Sequence, residues 1–405
     1  MPDLLDGGAA PDPDRSALRR CVGDPAEFER THWGRQPLLR RTGRHDDLLD
    51  LAAVDELLSE RGLRTPFLRI AKAGSVVPAK SFTGGAGLGA EVSDQIRDDR
   101  VLEQLAAGAT LIFQGLHRVW PPLQSFCLDL SRELGCAVQA NAYLTPAGNQ
   151  GFATHYDTHD VFVLQVAGVK RWQVHEPVHP DPLERQPWGG RADEVAASAT
   201  GAPYLDHVLE EGELLYLPRG WLHAAAAVDR TSLHLTLGLR RPTRYSIVEA
   251  LLGLAAEDPQ LRAGLPIGLD LSDPVALAPH LSATVSALQD AVAKADADDV
   301  ARRLRPGQWT AHRPGPIRPV AQAAFADALT ADSRVRPRPG LRLAIGQGRI
   351  ELDDRTVGYP AECDPAVKAL LSGAAVRVGD LPGLDEQSQL VLVRRLLREA
   401  VVVPA

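Results

Sequence analysis

Short extended segments separated by turns fill residues 137–240, and this pattern constrains the fold more than any other feature of the chain. Apolar, β-branched and aromatic residues dominate the runs AVQANAYLT, VFVLQVA, KRWQVH, ELLYLP and SLHLTLGL. Glycine and proline interrupt them, as in PAGNQG and PRGW. Short strands joined by tight turns are typical of an antiparallel sandwich or barrel. We therefore predict a β-barrel at the centre of the chain.

The flanking sequence is mainly helical in pattern, and the length of 405 residues predicts more than one domain. Apolar residues three and four positions apart indicate helices before the barrel and again behind it. A helix, the hairpin sequence LRLAIGQGRIEL and a last helix resemble a winged-helix arrangement. We therefore predict an α+β protein with five segments: a disordered N-terminus (1–20), a barrel domain with N-terminal helical elements (21–242), a helical region (243–303), a linker (304–319) and a winged-helix-like domain (320–405).

Charge and cysteine content limit the compartment and the partners. The net charge of −8 gives no general attraction to nucleic acid or to an anionic membrane. Residues 331–405 carry 11 basic and 10 acidic side chains, so we expect no direct DNA binding by this part. The four cysteines form no C-x-x-C pair, which indicates reduced thiols in a cytoplasmic protein. We expect neither a signal peptide nor a membrane span, because the sequence offers no suitable apolar run.

A histidine and an aspartate stand two residues apart in the sequence HYDTHDVF. Residues at i and i+2 of an extended segment project from the same face, so His155 and Asp157 can meet one point. His223 follows a predicted strand and turn, and antiparallel neighbours in a barrel can bring it beside this pair. Two imidazoles and one carboxylate form the triad that binds Fe(II) and leaves open coordination positions. We therefore predict an iron site at His155, Asp157 and His223.

Two other histidines compete for this role. His159 repeats the local chemistry in the sequence THD but has no aspartate two positions later, so we expect it beside the site or at its entrance. His234 lies inside the predicted strand SLHLTL, where a histidine is more often a buried partner than a ligand. The alternative for H-x-D itself is an ordinary polar pair, because so short a motif also occurs by chance.

Lys170 begins the strand that returns after the turn VAGV. The chain has only five lysines among its 44 basic residues, so a lysine inside the barrel sequence is not explained by general composition. A compact ammonium group within a barrel suits one end of a dicarboxylate. The alternative is an exposed lysine on the barrel surface.

These motifs together resemble a known family. HYD at 155–157, Lys170 fifteen residues after the first histidine, and YLPRGWLH ending at His223 are similar to the JmjC branch of the cupin-fold 2-oxoglutarate oxygenases. The block 140–177 resembles the central block of the ribosomal oxygenases within that branch. HWGRQPLLRR (32–41) and DPQLRAGLPIG (258–268) resemble further segments of the same group. Specific motifs cover roughly 25–270, and the remainder is similar in architecture only.

The resemblance implies a double-stranded β-helix of the jelly-roll or cupin type, with Fe(II) held by the triad and 2-oxoglutarate as cosubstrate. It implies that Lys170 binds the distal carboxylate of 2-oxoglutarate and that 243–303 forms a homodimer interface. It further implies a set of residues that line the cosubstrate pocket: Asn141, Tyr143, Ser232, His234 and Thr236. The last three alternate along one strand and face one way, with simple barrel filling as the alternative.

The leading hypothesis is an Fe(II)- and 2-oxoglutarate-dependent hydroxylase of a protein side chain. The resemblance implies an arginine or histidine of a ribosomal protein as its target. The alternatives are hydroxylation of a peptide or natural product by the same chemistry, and a non-catalytic cupin protein that binds metal. The presence of Asn141, Tyr143 and Lys170 argues against the last, because a mere metal binder has no use for a dicarboxylate pocket.

Overall fold

Short helices and strands precede the predicted barrel. The structure is a computed structural model that describes residues 3–6, 16–72, 74–89, 91–150 and 152–405. The helices are α1 (Ala17–Val22), α2 (Pro25–Thr31), α3 (Leu51–Ser59), α4 (Asp98–Ala106), α5 (Leu116–Val119) and α6 (Pro121–Leu134). The strands are β1 (Asp3–Asp6), β2 (Leu38–Arg41), β3 (Leu68–Lys72), β4 (Ser75–Val76), β5 (Thr83–Gly84), β6 (Gln95–Ile96) and β7 (Thr110–Phe113). Asp24 and Asp50 begin α2 and α3 by accepting hydrogen bonds from amides of the first turn.

The turn-rich region forms the antiparallel strands that its sequence predicts. They are β8 (Ala137–Thr145), β9 (Asp160–Ala167), β10 (Lys170–His175), β11 (Leu205–Leu209), β12 (Glu213–Leu217), β13 (Leu222–Ala227) and β14 (Ser232–Arg240), with helix α7 (Ala192–Ser198) between β10 and β11. One sheet has the order β2-β12-β9-β14-β8-β7-β3-β4, and a second has the order β11-β10-β13. The predicted α+β fold with a double-stranded β-helix core is confirmed.

The central strand β14 separates two different environments. The leucines at alternate positions from Leu233 to Leu239 are fully buried, and they pack in one apolar cluster with residues of α1, α3 and α6. The intervening residues Ser232, His234 and Thr236 face the other way, as the two-residue period of a strand requires. The N-terminal helices therefore cover one face of the large sheet, and polar side chains stand on the opposite face.

Residues 16–241, together with 315–317, form one compact unit, and β1, 242–314 and 318–405 form another. The second unit contains helices α8 (Arg244–Ala255), α9 (Pro259–Arg262), α10 (Pro274–Lys294), α11 (Ala297–Ala311), α12 (Pro319–Asp327), α13 (Asp364–Leu370) and α14 (Glu386–Arg398). Its remaining strands are β15 (Arg334–Pro337), β16 (Arg342–Gly346), β17 (Arg349–Glu351), β18 (Thr356–Gly358), β19 (Val376–Arg377) and β20 (Val402–Pro404). β16 and β17 pair as the predicted hairpin. Within the described residues, every helix is too short or too polar to cross a membrane.

Two predicted segments differ from the structure. The sequence predicts disorder over 1–20, but β1 pairs with β16, and α1 begins after Ser16, whose hydroxyl accepts a hydrogen bond from an amide of that helix. The rest of that segment before Ser16 lies outside the described residues.

The predicted linker 304–319 is also shorter than expected, because α11 continues to Ala311 despite Pro306 in its interior. Trp309 in this part of α11 is buried, and the guanidinium of Arg305 lies over its ring, 5.4 Å from the ring centroid. Composition alone does not reveal this packing. The further division of the second unit into a helical region and a winged-helix-like domain stays a prediction.

Candidate active site

Two histidines and one aspartate converge where the segment before β9 meets β13. His155 and His223 form an antiparallel bridge: the His155 N–H donates to the His223 carbonyl at 3.2 Å, and the His223 N–H donates to the His155 carbonyl at 2.8 Å. Asp157 Oδ2 lies 3.8 Å from His223 Nε2. One side-chain ligand atom from each of the three residues lies within 4.8 Å of the others, a spacing that suits a single metal ion.

Backbone carbonyl groups orient both imidazole rings. His155 Nδ1 is 2.8 Å from the carbonyl oxygen of Ala153, and His223 Nδ1 is 3.1 Å from that of Trp221. A carbonyl oxygen can only accept, so each Nδ1 carries the proton and donates it. This tautomer leaves the lone pair of each Nε2 free for a metal.

The protonation states also suit a divalent cation. The pKa of His223 is lowered to about 4, mainly by burial. His155 contributes to this lowering, and its effect is larger than the opposite effect of Asp157. Burial acts to raise the pKa of Asp157, but the three neighbouring histidines outweigh it, so its pKa lies below the ordinary value. A neutral imidazole and an ionised carboxylate are the forms that bind metals.

His159 lies outside this group of ligand atoms. Its ring packs against Gly238 of β14, where an added Cβ would come within 2.8 Å of two ring atoms. Because glycine has no side chain, position 238 leaves room for the His159 ring. Its place beside the triad agrees with the role predicted for it, which stays a prediction.

The predicted pocket residues of β8 and β14 lie opposite one another. The register pairs Tyr143 with His234 and Asn141 with Thr236. The rings of Tyr143 and His234 are stacked, with centroids 4.9 Å apart and planes 1° from parallel. The Asn141 side-chain oxygen accepts a hydrogen bond from the backbone N–H of Gly115, which fixes its orientation.

Lys170 is the buried cation of this face. It is 3 % exposed, and its Nζ donates to the hydroxyl of Thr145 at 3.0 Å. In the part of the chain that the structure describes, no carboxylate lies within ion-pair distance of it. Burial lowers the pKa of its ammonium group to about 7, because the charged form is unfavourable without a counter-charge. An anionic ligand would supply that counter-charge, so the site suits one.

Trp172 connects this lysine-containing face with the triad. It follows Lys170 by two residues on β10, and its ring centroid lies 5.5 Å from that of His234 and 6.0 Å from that of His223. Aromatic rings therefore continue from Tyr143 through His234 and Trp172 to His223 of the triad. Trp172 is not among the residues predicted from the sequence, although its two-residue spacing from Lys170 predicts that both face the same way.

Buried polar atoms near Lys170 lack hydrogen-bond partners among the described residues. They are Gln165 Oε1, Trp172 Nε1 and His234 Nδ1. The amide nitrogen of Gln165 donates to the Ser232 hydroxyl at 2.9 Å, so Gln165 and Ser232 belong to the same polar group. Buried polar atoms are nearly always hydrogen-bonded, so their free state indicates that a polar ligand or water completes this cavity. Sequence analysis missed Gln165, whose only signal is one amide within the apolar run VFVLQVA.

Comparison with known proteins agrees with this architecture. Residues 121–247 match the family model of the JmjC domain. The chain contains a JmjC domain. The domain so matched includes the triad, Lys170 and all five predicted pocket residues, and the resemblance drawn from their motifs is confirmed.

The curated relatives that this chain matches are longer than the part they share with it. The bifunctional lysine-specific demethylase and histidyl-hydroxylase NO66 of Drosophila persimilis is 30% identical over 254 residues, covering 60% of this chain and 35% of that protein. Ribosomal oxygenase 1 of Gallus gallus is 34% identical over 257 residues, covering 60% of this chain and 40% of that protein. The chain therefore spans little more than a third of the length of these relatives.

Solved structures extend the similarity in fold to nearly the whole chain. The Escherichia coli ribosomal oxygenase YcfD matches with a TM-score of 0.55 and 16% identity, covering 95% of this chain and 99% of that one. A second YcfD structure, in complex with cobalt and 2-oxoglutarate, matches with a TM-score of 0.53 and 17% identity, covering 94% and 98%. At this identity the likeness establishes a shared fold.

Proposed function

We propose that this protein is an Fe(II)- and 2-oxoglutarate-dependent oxygenase that hydroxylates a protein side chain. The observation that carries the proposal is the convergence of the His155, Asp157 and His223 ligand atoms beside a face that contains the buried, uncompensated Lys170. The cobalt and 2-oxoglutarate complex of YcfD, which has the same fold, supports this assignment.

The residues of the site fit both Fe(II) and 2-oxoglutarate. Two imidazole nitrogens and one carboxylate are the donor set of non-haem Fe(II) oxygenases, and three ligands leave positions open. The buried ammonium of Lys170, the Trp172 indole N–H and a protonated His234 Nδ1 can donate to the oxygen atoms of a dicarboxylate, whereas Gln165 Oε1 accepts only and pairs with a donor such as water.

The residues of the site have separable tasks in this proposal. When bound, Fe(II) and 2-oxoglutarate would supply an oxidative decarboxylation with O2 as the oxidant: one oxygen atom of O2 ends in succinate, which forms together with CO2, and the other ends in the hydroxyl group of the substrate. His155, Asp157 and His223 hold the cation, and Lys170 together with Thr145 holds the far carboxylate. The buried rings of Trp172 and the stacked Tyr143 and His234 restrict water on this face.

We propose an arginine or histidine side chain of a ribosomal protein as the substrate. The Drosophila relative is named as a histidyl-hydroxylase, and the chicken relative and the E. coli neighbour are named as ribosomal oxygenases. The net charge of −8 favours encounter with a strongly basic partner, which ribosomal proteins are.

The substrate proposal predicts a mass difference in one ribosomal protein. Intact-mass analysis of ribosomal proteins from wild-type cells should show one protein heavier by a single oxygen atom than in cells lacking this gene. Returning the wild-type protein should restore the added mass, whereas the His155→Ala variant, which lacks one metal ligand, should not. Equal masses for every ribosomal protein in both strains would contradict the proposal and favour a peptide or natural-product substrate.

We also propose that the protein is a homodimer formed through 243–303. α10 has 21 residues, none of which is buried, although apolar side chains are frequent along it. Val275 is 80% exposed and Leu281 is 56% exposed, and Val285, one helical turn after Leu281, is also exposed. An apolar helix face of this kind marks a surface for another protein.

The dimer proposal predicts that sedimentation equilibrium gives the mass of a dimer throughout the micromolar concentration range. Replacing Leu281 and Val285 by glutamate should produce monomers, because two like charges would be brought together in an apolar interface. Ala283→Glu is the control, because this exposed residue lies on the opposite face of α10 and the added charge should leave the dimer intact. A wild-type protein that is monomeric at every concentration tested would refute the proposal.

A further inference from the structure

A buried carboxylate outside the ligand set supports the turn that carries His223. Asp160, the first residue of β9, is 1 % exposed. Its Oδ1 accepts a hydrogen bond from the Arg219 backbone N–H at 3.0 Å, and its Oδ2 accepts one from the Tyr216 hydroxyl at 2.8 Å. This one side chain therefore contacts both the end of β12 and the turn that leads to β13.

The turn itself is also tied to the metal-binding segment. The Trp221 N–H donates to the Pro218 carbonyl, and Gly220 has a φ of 87°, as the third residue of a type II turn requires. The Gly220 N–H donates to the Asp157 carbonyl at 2.9 Å. Adjacent amides of the turn are thus bound to Asp157 and Asp160, and His223 follows three residues after Gly220.

A second layer of contacts holds Asp160 in place. The Tyr216 hydroxyl, which donates to Asp160, accepts a hydrogen bond from the Gly34 N–H at 2.8 Å. Trp33 stacks on Tyr216 and lies under the guanidinium of Arg241, whose Nε is 4.0 Å from Asp160 Oδ2. Trp33 and Gly34 belong to the segment HWGRQPLLRR, so this segment supports Asp160, although it contributes no residue to the triad or to the predicted pocket.

We propose that Asp160 is a positioning residue that sets the metal affinity of the site without contacting the metal. Its carboxylate fixes the turn Pro218–Trp221 relative to Asp157, and this turn determines where His223 presents its Nε2. Its two oxygens accept from donors on different elements, and a carboxylate offers an acceptor to each of them. The inference rests on the metal site of the proposed function.

The test compares Co(II) binding with thermal unfolding of the metal-free protein. Asp160→Ala should weaken Co(II) binding by about tenfold or more, the range found when groups that orient metal ligands are removed. Asp160→Glu keeps the charge and both acceptors but moves them by one methylene, so it should also weaken binding. Tyr216→Phe removes the Oδ2 partner but keeps the Arg219 bond that holds the turn, so it should lower the unfolding temperature and weaken Co(II) binding less than either Asp160 variant does.

The outcomes separate this inference from the proposed function. If the wild-type protein fails to bind Co(II), the metal site and the inference are both wrong. If the wild type binds Co(II) and the Asp160 variants bind it equally well, the metal site stands and the inference is refuted. Should Asp160→Ala fail to fold, the comparison of Asp160→Glu with Tyr216→Phe decides, because both retain a filled interior at this position.

Discussion

Alanine at His155, Asp157 or His223 is expected to abolish 2-oxoglutarate turnover and to reduce the iron content of the purified protein to background. Each residue supplies one of three ligand atoms that lie within 4.8 Å of one another. Its removal leaves two ligands, too few to hold the cation in competition with water. Succinate release and bound iron, measured on the same preparations, test this prediction.

His159→Ala is the matched control for the triad. His159 is a partly buried histidine of the same segment, but it packs on Gly238 and lies outside the group of ligand atoms. Its removal should leave measurable turnover and a normal iron content. Normal iron content and turnover in His223→Ala would show that the triad is assigned wrongly.

Local spacing explains why the triad and the pocket face could be predicted from the sequence. Extended residues two apart share a face, which places Asp157 beside His155 and groups Ser232, His234 and Thr236. His223 lies near the pair for another reason: the turn PRGW carries the chain from β12 in the large sheet to β13 in the second sheet, where His223 forms a bridge with His155. The same-face relations depend only on neighbours within one segment, and the register of β8 with β14 agrees with them.

The support of the site could not be predicted in the same way, because it depends on contacts between distant segments. The Gly34 N–H donates to the Tyr216 hydroxyl, which is 182 residues away in the sequence, and that hydroxyl donates to Asp160, which is 56 residues from Tyr216. No periodicity relates such positions. In the sequence Asp160 also resembles an ordinary strand-end aspartate, and only its burial shows that it holds the turn before His223.

The same limit applies to secondary structure outside the barrel. Proline, glycine and arginine around Pro306 predict a linker, yet the helix α11 continues through them. The packing of Arg305 on Trp309 and its ion pair with Glu351, with Arg305 Nη1 3.6 Å from the carboxylate, stabilise that part of the helix. Tertiary contacts here outweigh the local preference that composition expresses.

Lys170→Ala is expected to raise the 2-oxoglutarate concentration required for half-maximal turnover by roughly 10- to 100-fold, the equivalent of one hydrogen bond to a charged group. Lys170 lies buried without a carboxylate partner among the described residues, so its removal leaves the far carboxylate of the cosubstrate buried without a charged partner. Lys170→Arg should be milder but not neutral, because the larger planar group fits differently beside Thr145. Lys72→Ala, at an exposed lysine, is the control. An unchanged requirement in Lys170→Ala would remove this lysine from the site.

The pH dependence of binding gives an independent check on Lys170. Burial lowers its pKa to about 7 in the free protein, so the side chain is largely neutral above that pH. A bound carboxylate favours the ammonium form and raises the pKa again. Binding of 2-oxoglutarate above pH 7 should therefore take up as much as one proton, and affinity should fall as the pH rises further.

Calorimetry in two buffers with different ionisation enthalpies measures this uptake. Lys170→Arg should abolish it, because arginine stays protonated in both states; equal proton uptake in the wild type and this variant would show that another group titrates.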